Sequence, residues 1–272
     1  MIKRWLMSFA VLLLISGNAA AQMTFAEGSD YQLVTPAVKT SQPDKVVVTE
    51  IFWYGCPHCF RFEPYVERWA AGLPDGVVFE QVPSSLNPRW TEHARAYYAF
   101  KMMGALDKTH KALFDAIHLK RERLTSLDTL AEFAVSQGLD EKLFRENYFS
   151  FPVETQIRKN IQKEKRYGHR GVPAVIVNGK YLVSASLAGS NERMIQIMNF
   201  LVAEELVEQA VRDTGAPGDR PDRGAGEARL SEALPGRLED PLALSLTLLA
   251  APVGAGLRGG RGFFSGSGHL DS

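Results

Sequence analysis

Residues 45–64 read KVVVTEIFWYGCPHCFRFEP, and this stretch decides the fold. The β-branched run over 45–53 is typical of a largely buried strand. Residues 54–55 interrupt that run, and the apolar spacing over 60–73 then predicts a helix. A second β-branched run over 76–82 predicts another strand. Strand, helix and strand in this order predict a βαβ unit, in which the two strands pair in parallel.

The rest of the fold is predicted from changes in periodicity. From about residue 90 to 168 apolar residues recur at helical spacing. Two apolar runs then flank Asn178 and Gly179, and Asn-Gly between such runs is a strong signal for a β-hairpin. A last amphipathic helix is predicted over 191–208. The sequence therefore predicts an α/β protein in which an all-helical block separates two halves of one sheet. The helices of that block are predicted over 91–103, 106–120, 126–138, 141–148 and 153–167.

The amino terminus has the pattern of a secretory signal. Lys3 and Arg4 precede a short apolar core, and Ala19, Ala20 and Ala21 form a small-residue cleavage site. The alternative is a membrane anchor, but the apolar core is shorter than the roughly 20 residues that cross a bilayer. We therefore expect residues 1–21 to be a cleaved signal peptide. Export predicts an oxidising compartment, in which a disulfide persists.

The composition changes again near the carboxyl terminus. Lys is absent after Lys180, and Gly, Ala, Pro and Arg dominate from about residue 213. Such a segment breaks helices and strands and buries little apolar area. The sequence therefore predicts one folded domain over 22–208 and a disordered extension over 209–272.

Composition and charge restrict the function. The 272 residues are 45% hydrophobic and 23% charged, which is typical of a globular protein. Because 31 Lys and Arg balance 31 Asp and Glu, no overall basic field favours nucleic acid as a partner. The chain has only two cysteines, Cys56 and Cys59, and both belong to one motif. A framework of structural disulfides needs more cysteines with wider spacing.

The motif Cys56-Pro57-His58-Cys59 lies where the predicted strand ends and the predicted helix begins. Unpaired backbone N–H groups and the positive end of the helix dipole stabilise a thiolate there, which lowers the pKa of Cys56. Pro57 suits the first helical turn, and a protonated His58 adds positive charge beside the sulfur. Cys59 can reach back to close a small ring. Stabilising the thiolate makes the disulfide easier to reduce, so this pattern predicts an oxidant of other thiols.

Two other interpretations of this motif have less support from the sequence. A zinc site would need two more Cys or His ligands, and the remaining mature histidines show no pair at the usual ligand spacing. A permanent structural disulfide would close a very short loop and would stabilise little. We therefore expect no metal and no other cofactor. The histidines in question are His93, His110, His118, His169 and His269.

Three segments together resemble the DsbA family of periplasmic thiol:disulfide oxidoreductases. They are EIFWYGCPHCFRFEP at 50–64, RGVPA at 170–174 and VNGKY at 177–181. The resemblance covers about residues 28–205 in the order and spacing of these motifs. It implies a thioredoxin fold with a helical insertion over about 85–168, and it implies a periplasmic location.

The resemblance also implies roles for individual residues. Cys56 matches the exposed nucleophilic cysteine and Cys59 its buried partner, while Pro57 and His58 match the dipeptide that tunes the redox potential. Val172-Pro173 matches a loop with a cis proline, where the backbone of Val172 would pair with an extended substrate peptide. The alternative for this proline is an ordinary trans residue that ends a loop before a strand.

Glu50 interrupts the apolar strand six residues before Cys56. An unpaired buried carboxylate is costly, so a raised pKa or a functional role is expected there. The resemblance implies that an acid at this place assists proton transfer at the buried cysteine. The alternative is a glutamate at an exposed sheet edge. No residue matches the lysine that accompanies this acid in some relatives, because residues 79–81 (FEQ) occupy that region.

Other polar and aromatic residues near the motif are interpreted more simply. We expect His93, His110 and His118 to be surface or interhelix residues. The aromatic side chains around the motif are more typical of a core than of a binding surface.

The leading functional hypothesis is a donor of disulfides to reduced, newly exported proteins. The resemblance implies that a quinone-linked membrane thiol oxidase of the DsbB kind reoxidises it, and we expect a monomer. One alternative is a periplasmic reductase or isomerase. Another is a thioredoxin-fold chaperone without redox turnover, which the intact motif disfavours.

Overall fold

The computed structural model describes residues 24–214. The predicted signal peptide and all but the first few residues of the predicted extension lie outside the described residues. The elements have these bounds: β1 Gln32–Leu33, β2 Val46–Phe52, α1 Pro57–Ala71, β3 Val77–Pro83, α2 Pro88–Met102, α3 Leu106–His118, α4 Leu127–Ser136, α5 Glu141–Tyr148, α6 Phe151–Tyr167, β4 Ala174–Val177, β5 Tyr181–Ser184, α7 Ala185–Ala188 and α8 Asn191–Asp213.

The described strands form one mixed sheet in the order β1-β5-β4-β2-β3. β2 and β3 pair in parallel, as the βαβ unit predicts, and the other neighbours are antiparallel. Every residue of β2 is buried, because this strand has a neighbour on each side and a layer over each face. This explains why its sequence is a continuous apolar run instead of an alternating one.

The two faces of the sheet are covered by different elements. Val46 and Val48 pack in a cluster with residues of α1 and α8, including Phe62 and Met194. On the opposite face, Ile51 packs with residues of β4 and of α6. The thioredoxin fold with a helical insertion is therefore confirmed.

The insertion consists of α2 to α6 and spans 88–167. Its own core is a cluster of aromatic and aliphatic side chains that are fully or almost fully buried. Phe52 and Tyr54, at the end of β2 and just beyond it, belong to this cluster as well. The segment that leads into the Cys56 motif is thus held by the insertion from one side. Large members of the cluster are Phe100, Leu113, Phe114, Leu130, Phe144 and Tyr148.

Helix ends differ from the predicted bounds where a cap decides them. α1 begins at Pro57, because a proline fits the first helical position and Cys56 is the N-cap residue. α2 begins at Pro88, because the side chain of Asn87 accepts a hydrogen bond from the backbone N–H of Trp90. α8 continues to Asp213, five residues beyond the end predicted for this helix at about residue 208.

Among the described helices, none has both the length and the apolar content that crossing a bilayer requires.

Candidate active site

The turn between β2 and α1 places the two cysteines. The Cys56 N–H donates to the Trp53 carbonyl at 2.9 Å, and the Cys56 carbonyl accepts from the Phe60 N–H at 3.0 Å in the first turn of α1. Gly55 is required within this turn, since a Cβ atom there would lie 2.3 Å from the ring of Trp53. The predicted position of the motif, at the end of a strand and the start of a helix, is confirmed.

The two sulfur atoms have different surroundings, and both cysteines are thiols in this structure. Cys56 is 8% exposed and Cys59 is completely buried. Cys56 is therefore the more accessible of the two, although it is less open than a freely exposed nucleophile would be.

The same surroundings separate the two pKa values. The pKa of Cys56 is lowered to about 6, chiefly by a hydrogen bond from the Cys59 side chain, and then by the backbone N–H groups of Cys59 and His58 and the charge of His58. Burial of Cys56 acts in the opposite direction. Burial raises the pKa of Cys59 well above its ordinary value. At neutral pH the pair is therefore a thiolate at Cys56 beside a thiol at Cys59.

Arg61, one turn beyond His58 on α1, contacts the imidazole. A guanidinium nitrogen of Arg61 lies 3.0 Å from Nδ1 of His58. Because arginine is always a donor, this contact is made only by a form of His58 in which Nδ1 accepts, and it is lost when the ring is charged. Sequence reasoning missed Arg61, although its spacing of three residues from His58 on a helix is a signal that could have found it.

The loop before β4 lies against Cys56. The Val172–Pro173 peptide bond is cis. Sγ of Cys56 lies 3.4 Å from the Val172 carbonyl oxygen, to which the protonated thiol donates a hydrogen bond. Residues 116 positions apart in sequence thus meet at the reactive sulfur.

Glu50 is completely buried in β2, an interior strand of the sheet, so the alternative of an exposed edge position is wrong. The parallel register places Gln81 of β3 beside it, and the Gln81 amide donates to Glu50 Oε2 at 3.0 Å. Burial, and next the charge of Glu63, raise the pKa of Glu50 to about 8, and the bond from Gln81 opposes them. Gln81 offers Glu50 a hydrogen bond but no positive charge. Glu50 therefore keeps a proton at neutral pH.

His110 of α3 completes a polar cluster beneath the motif. Its Nε2 lies 3.0 Å from Glu63 Oε1, and its Nδ1 lies 2.7 Å from the hydroxyl of Tyr54. The Gln81 amide also donates to Glu63, at 3.2 Å, so the cluster runs continuously from Glu50 to His110.

Of the three insertion histidines expected at the surface or between helices, His93 is buried, and His110 and His118 are half-buried. His93 is 2% exposed, and its Nε2 contacts the Leu124 carbonyl at 2.6 Å. His118 Nε2 contacts the Tyr54 carbonyl at 2.7 Å. Within residues 24–214, no group of three or more His, Cys, Asp or Glu side chains could hold a metal ion.

A thioredoxin-type sheet with a Cys-x-x-Cys motif at the start of its first helix and a neighbouring proline loop defines a thiol:disulfide oxidoreductase. Residues 66–196 match the model of the DSBA-like thioredoxin domain. The chain belongs to the DsbA family: it is 35% identical over 211 residues to the thiol:disulfide interchange protein DsbA of Azotobacter vinelandii, a match that covers 72% of this chain and 99% of that protein.

Solved structures agree with this assignment. The crystal structure of DsbA from Pseudomonas aeruginosa matches with a TM-score of 0.65 at 33% identity, covering 68% of this chain and 96% of that chain. The crystal structure of DsbA from Xylella fastidiosa matches with a TM-score of 0.64 at 28% identity, covering 68% of this chain and all of that one.

Proposed function

We propose that Cys56 and Cys59 form a disulfide that the protein donates to reduced, newly exported proteins. A substrate thiolate attacks Sγ of Cys56 and forms a mixed disulfide, while Cys59 leaves as a thiolate and takes up a proton. A second substrate thiolate then attacks the substrate sulfur of the mixed disulfide, and Cys56 leaves as a thiolate. Two electrons pass to the protein, and the substrate gains one disulfide.

The observation that carries this proposal is the difference between the two sulfur environments. The lowered pKa of Cys56 means that the folded protein stabilises the reduced thiolate, so the disulfide is readily reduced and acts as an oxidant. A low pKa also makes Cys56 a good leaving group in the second exchange. A dedicated reductase would gain from surroundings that stabilise the disulfide relative to the Cys56 thiolate. A chaperone without redox turnover would need neither thiol.

The neighbouring residues have supporting roles in this proposal. Pro57 starts α1 directly after the nucleophile, and His58 supplies an N–H and a positive charge that favour the thiolate. Glu50 supplies the proton that Cys59 takes up, since a buried carboxyl with a pKa of about 8 carries a proton at neutral pH. The Val172–Pro173 loop, whose carbonyl already contacts Cys56, binds the substrate backbone.

Each turnover leaves two electrons on the protein, so a second reaction must remove them. We propose that a membrane thiol oxidase of the DsbB kind, linked to quinone, reoxidises Cys56 and Cys59 in the periplasm. The mature protein acts there as a monomer, after removal of residues 1–21.

Titration of the reduced protein tests the central observation. Ultraviolet thiolate absorbance is expected to rise with a midpoint near pH 6, because Cys56 is the group that ionises there. His58→Leu is expected to move the midpoint upward by less than about one unit, since its charge is only one of several contributions. A wild-type midpoint near the usual pKa of a free thiol, about 8.5, would remove the basis for an oxidant.

Truncation tests the domain boundary. A chain that ends after Thr214 is expected to keep the melting temperature and the activity of the full chain. A matched chain that ends after Glu208 loses the last turn of α8 and the contact of the Gln209 amide with the Asp44 carbonyl, so it is expected to melt a few degrees lower. Loss of activity on removing 215–272 would show that this segment takes part in function.

A further inference from the structure

Another buried carboxylate, that of Glu164, lies on the opposite side of the sheet from α1, in the last turn of α6. The side chain of Glu164 is fully buried and makes three hydrogen-bond contacts. Oε1 accepts from the Ser85 N–H at 2.9 Å, and Oε2 accepts from the Ser84 hydroxyl. Oε2 also lies 3.2 Å from Nε2 of His169. The reaction proposed above uses none of these groups.

His169 connects this carboxylate to the proline loop. Its side chain is 1% exposed, and its Nδ1 lies 3.1 Å from the Gly171 carbonyl. A carbonyl oxygen accepts only, so Nδ1 carries a proton. The contact between Nε2 and Oε2 then needs a second proton, held by either partner. His169 therefore keeps its hydrogen bonds to Gly171 and to Glu164 only while a proton lies between Nε2 and Oε2.

The groups joined in this way lie where the chain passes between the sheet and the insertion. Ser84 and Ser85 follow β3 at the exit towards α2, while Glu164 and His169 lie at the return from α6 to β4. Gly171 directly precedes Val172, whose carbonyl oxygen lies 3.4 Å from Sγ of Cys56. Glu164 and His169 therefore link the two connections between the sheet and the insertion to the loop beside the reactive sulfur.

We propose that Glu164 and His169 are positioning residues that fix the Val172–Pro173 loop for binding of the substrate backbone. This inference rests on the proposed function, in which that loop binds the substrate. A role in stability alone explains the pair poorly, because two buried hydrogen-bonded partners can often be replaced together by apolar groups of the same shape without loss of stability. Its geometry is instead suited to holding the Gly171 carbonyl in one orientation.

The test compares binding of a substrate with exchange of a small thiol. His169→Leu removes both bonds of the imidazole but leaves the Ser84 and Ser85 bonds of Glu164 in place. It is expected to raise KM for a reduced, unfolded protein about tenfold, as the loss of one buried hydrogen bond would. We expect kcat, and the equilibrium with glutathione, to stay within about twofold, because glutathione exchange does not require the extended contact along the loop.

Matched variants distinguish a loss of positioning of the Val172–Pro173 loop from a general loss of stability. Glu164→Leu is expected to raise KM in the same way, whereas Glu205→Leu is expected to leave KM within about twofold. Glu205 is an equally buried carboxylate that accepts from Asn178 and Lys180 away from the proline loop. Thermal melting of all variants shows whether stability alone accounts for any change.

His169→Asn tests whether both bonds are needed, since its amide can still donate to the Gly171 carbonyl but cannot reach Glu164. The proposal expects an increased KM here as well, and a wild-type KM would overturn the role of Glu164. Unchanged KM in His169→Leu, or a KM change matched by an equal change with glutathione, would overturn the whole inference. If Cys56→Ser kept its activity, the proposed function itself would fail, which is a separate result.

Discussion

Cys56→Ser is expected to reduce disulfide transfer to the rate measured without protein. The described structure offers no replacement nucleophile, because Cys59 is completely buried and its pKa is raised well above the ordinary value. A serine hydroxyl cannot form the mixed disulfide on which each exchange depends. The measurement is oxidation of a reduced, unfolded substrate, followed by loss of its free thiols.

Cys59→Ser is the matched control for this variant. It keeps the thiolate of Cys56 but removes the group that closes the intramolecular disulfide. Turnover is expected to stop in both variants, whereas a stable mixed disulfide with an activated substrate accumulates only in Cys59→Ser. Turnover that survives in Cys56→Ser, or a mixed disulfide on Cys59 in that variant, would contradict the assigned roles.

Glu50→Gln is expected to stabilise the oxidised protein at neutral pH by about 2–3 kcal/mol. The pKa of Glu50 is raised from 4.5 to about 8 in the folded state, so between these values the folded protein holds one proton that the unfolded chain has lost. Stability therefore falls as pH rises through this window, by up to about 1.4 kcal/mol per pH unit. The amide of the variant does not titrate, and this part of the pH dependence should disappear.

Denaturant unfolding of the oxidised protein, at several pH values between about 5 and 8, measures this effect without interference from titrating thiols. Glu67→Gln is the control: this glutamate is exposed on α1, and its replacement is expected to change stability by less than about 0.5 kcal/mol. If Glu50→Gln is less stable than the wild type, or keeps the same slope with pH, then Glu50 does not hold a proton in the folded protein. If Glu50 serves Cys59, the same variant should also slow reduction by a dithiol.

The parts of the fold that the sequence predicts are those with local causes. The continuous apolar run of β2, the turn at Gly55 and the Asn178-Gly179 hairpin each depend on neighbours in sequence, and each is present in the structure. The position of Cys56 at the start of a helix also follows from local signals. The proximity of Val172 to Cys56 does not: it was implied only by the family resemblance, because 116 residues separate the two.

The parts that the sequence does not predict depend on contacts between distant segments. β1 has only two residues and exists because it pairs with β5, so it has no periodic pattern of its own. The burial of Glu50 follows from the interior position of β2 in the sheet, which the sequence of one strand does not indicate. Likewise, the bonds of Glu164 to Ser84 and Ser85 span about 80 residues and become visible only when the insertion has folded back.

Two indole rings lie face to face across the boundary of the insertion. Trp53 follows β2 and Trp90 belongs to α2, with ring centroids 5.2 Å apart and an interplanar angle of 20°. Stacked chromophores at this separation couple electronically, and the coupling changes steeply with distance and tilt. Near-ultraviolet circular dichroism of this pair would therefore report any displacement of α2 relative to β2 during a redox cycle, without an attached label.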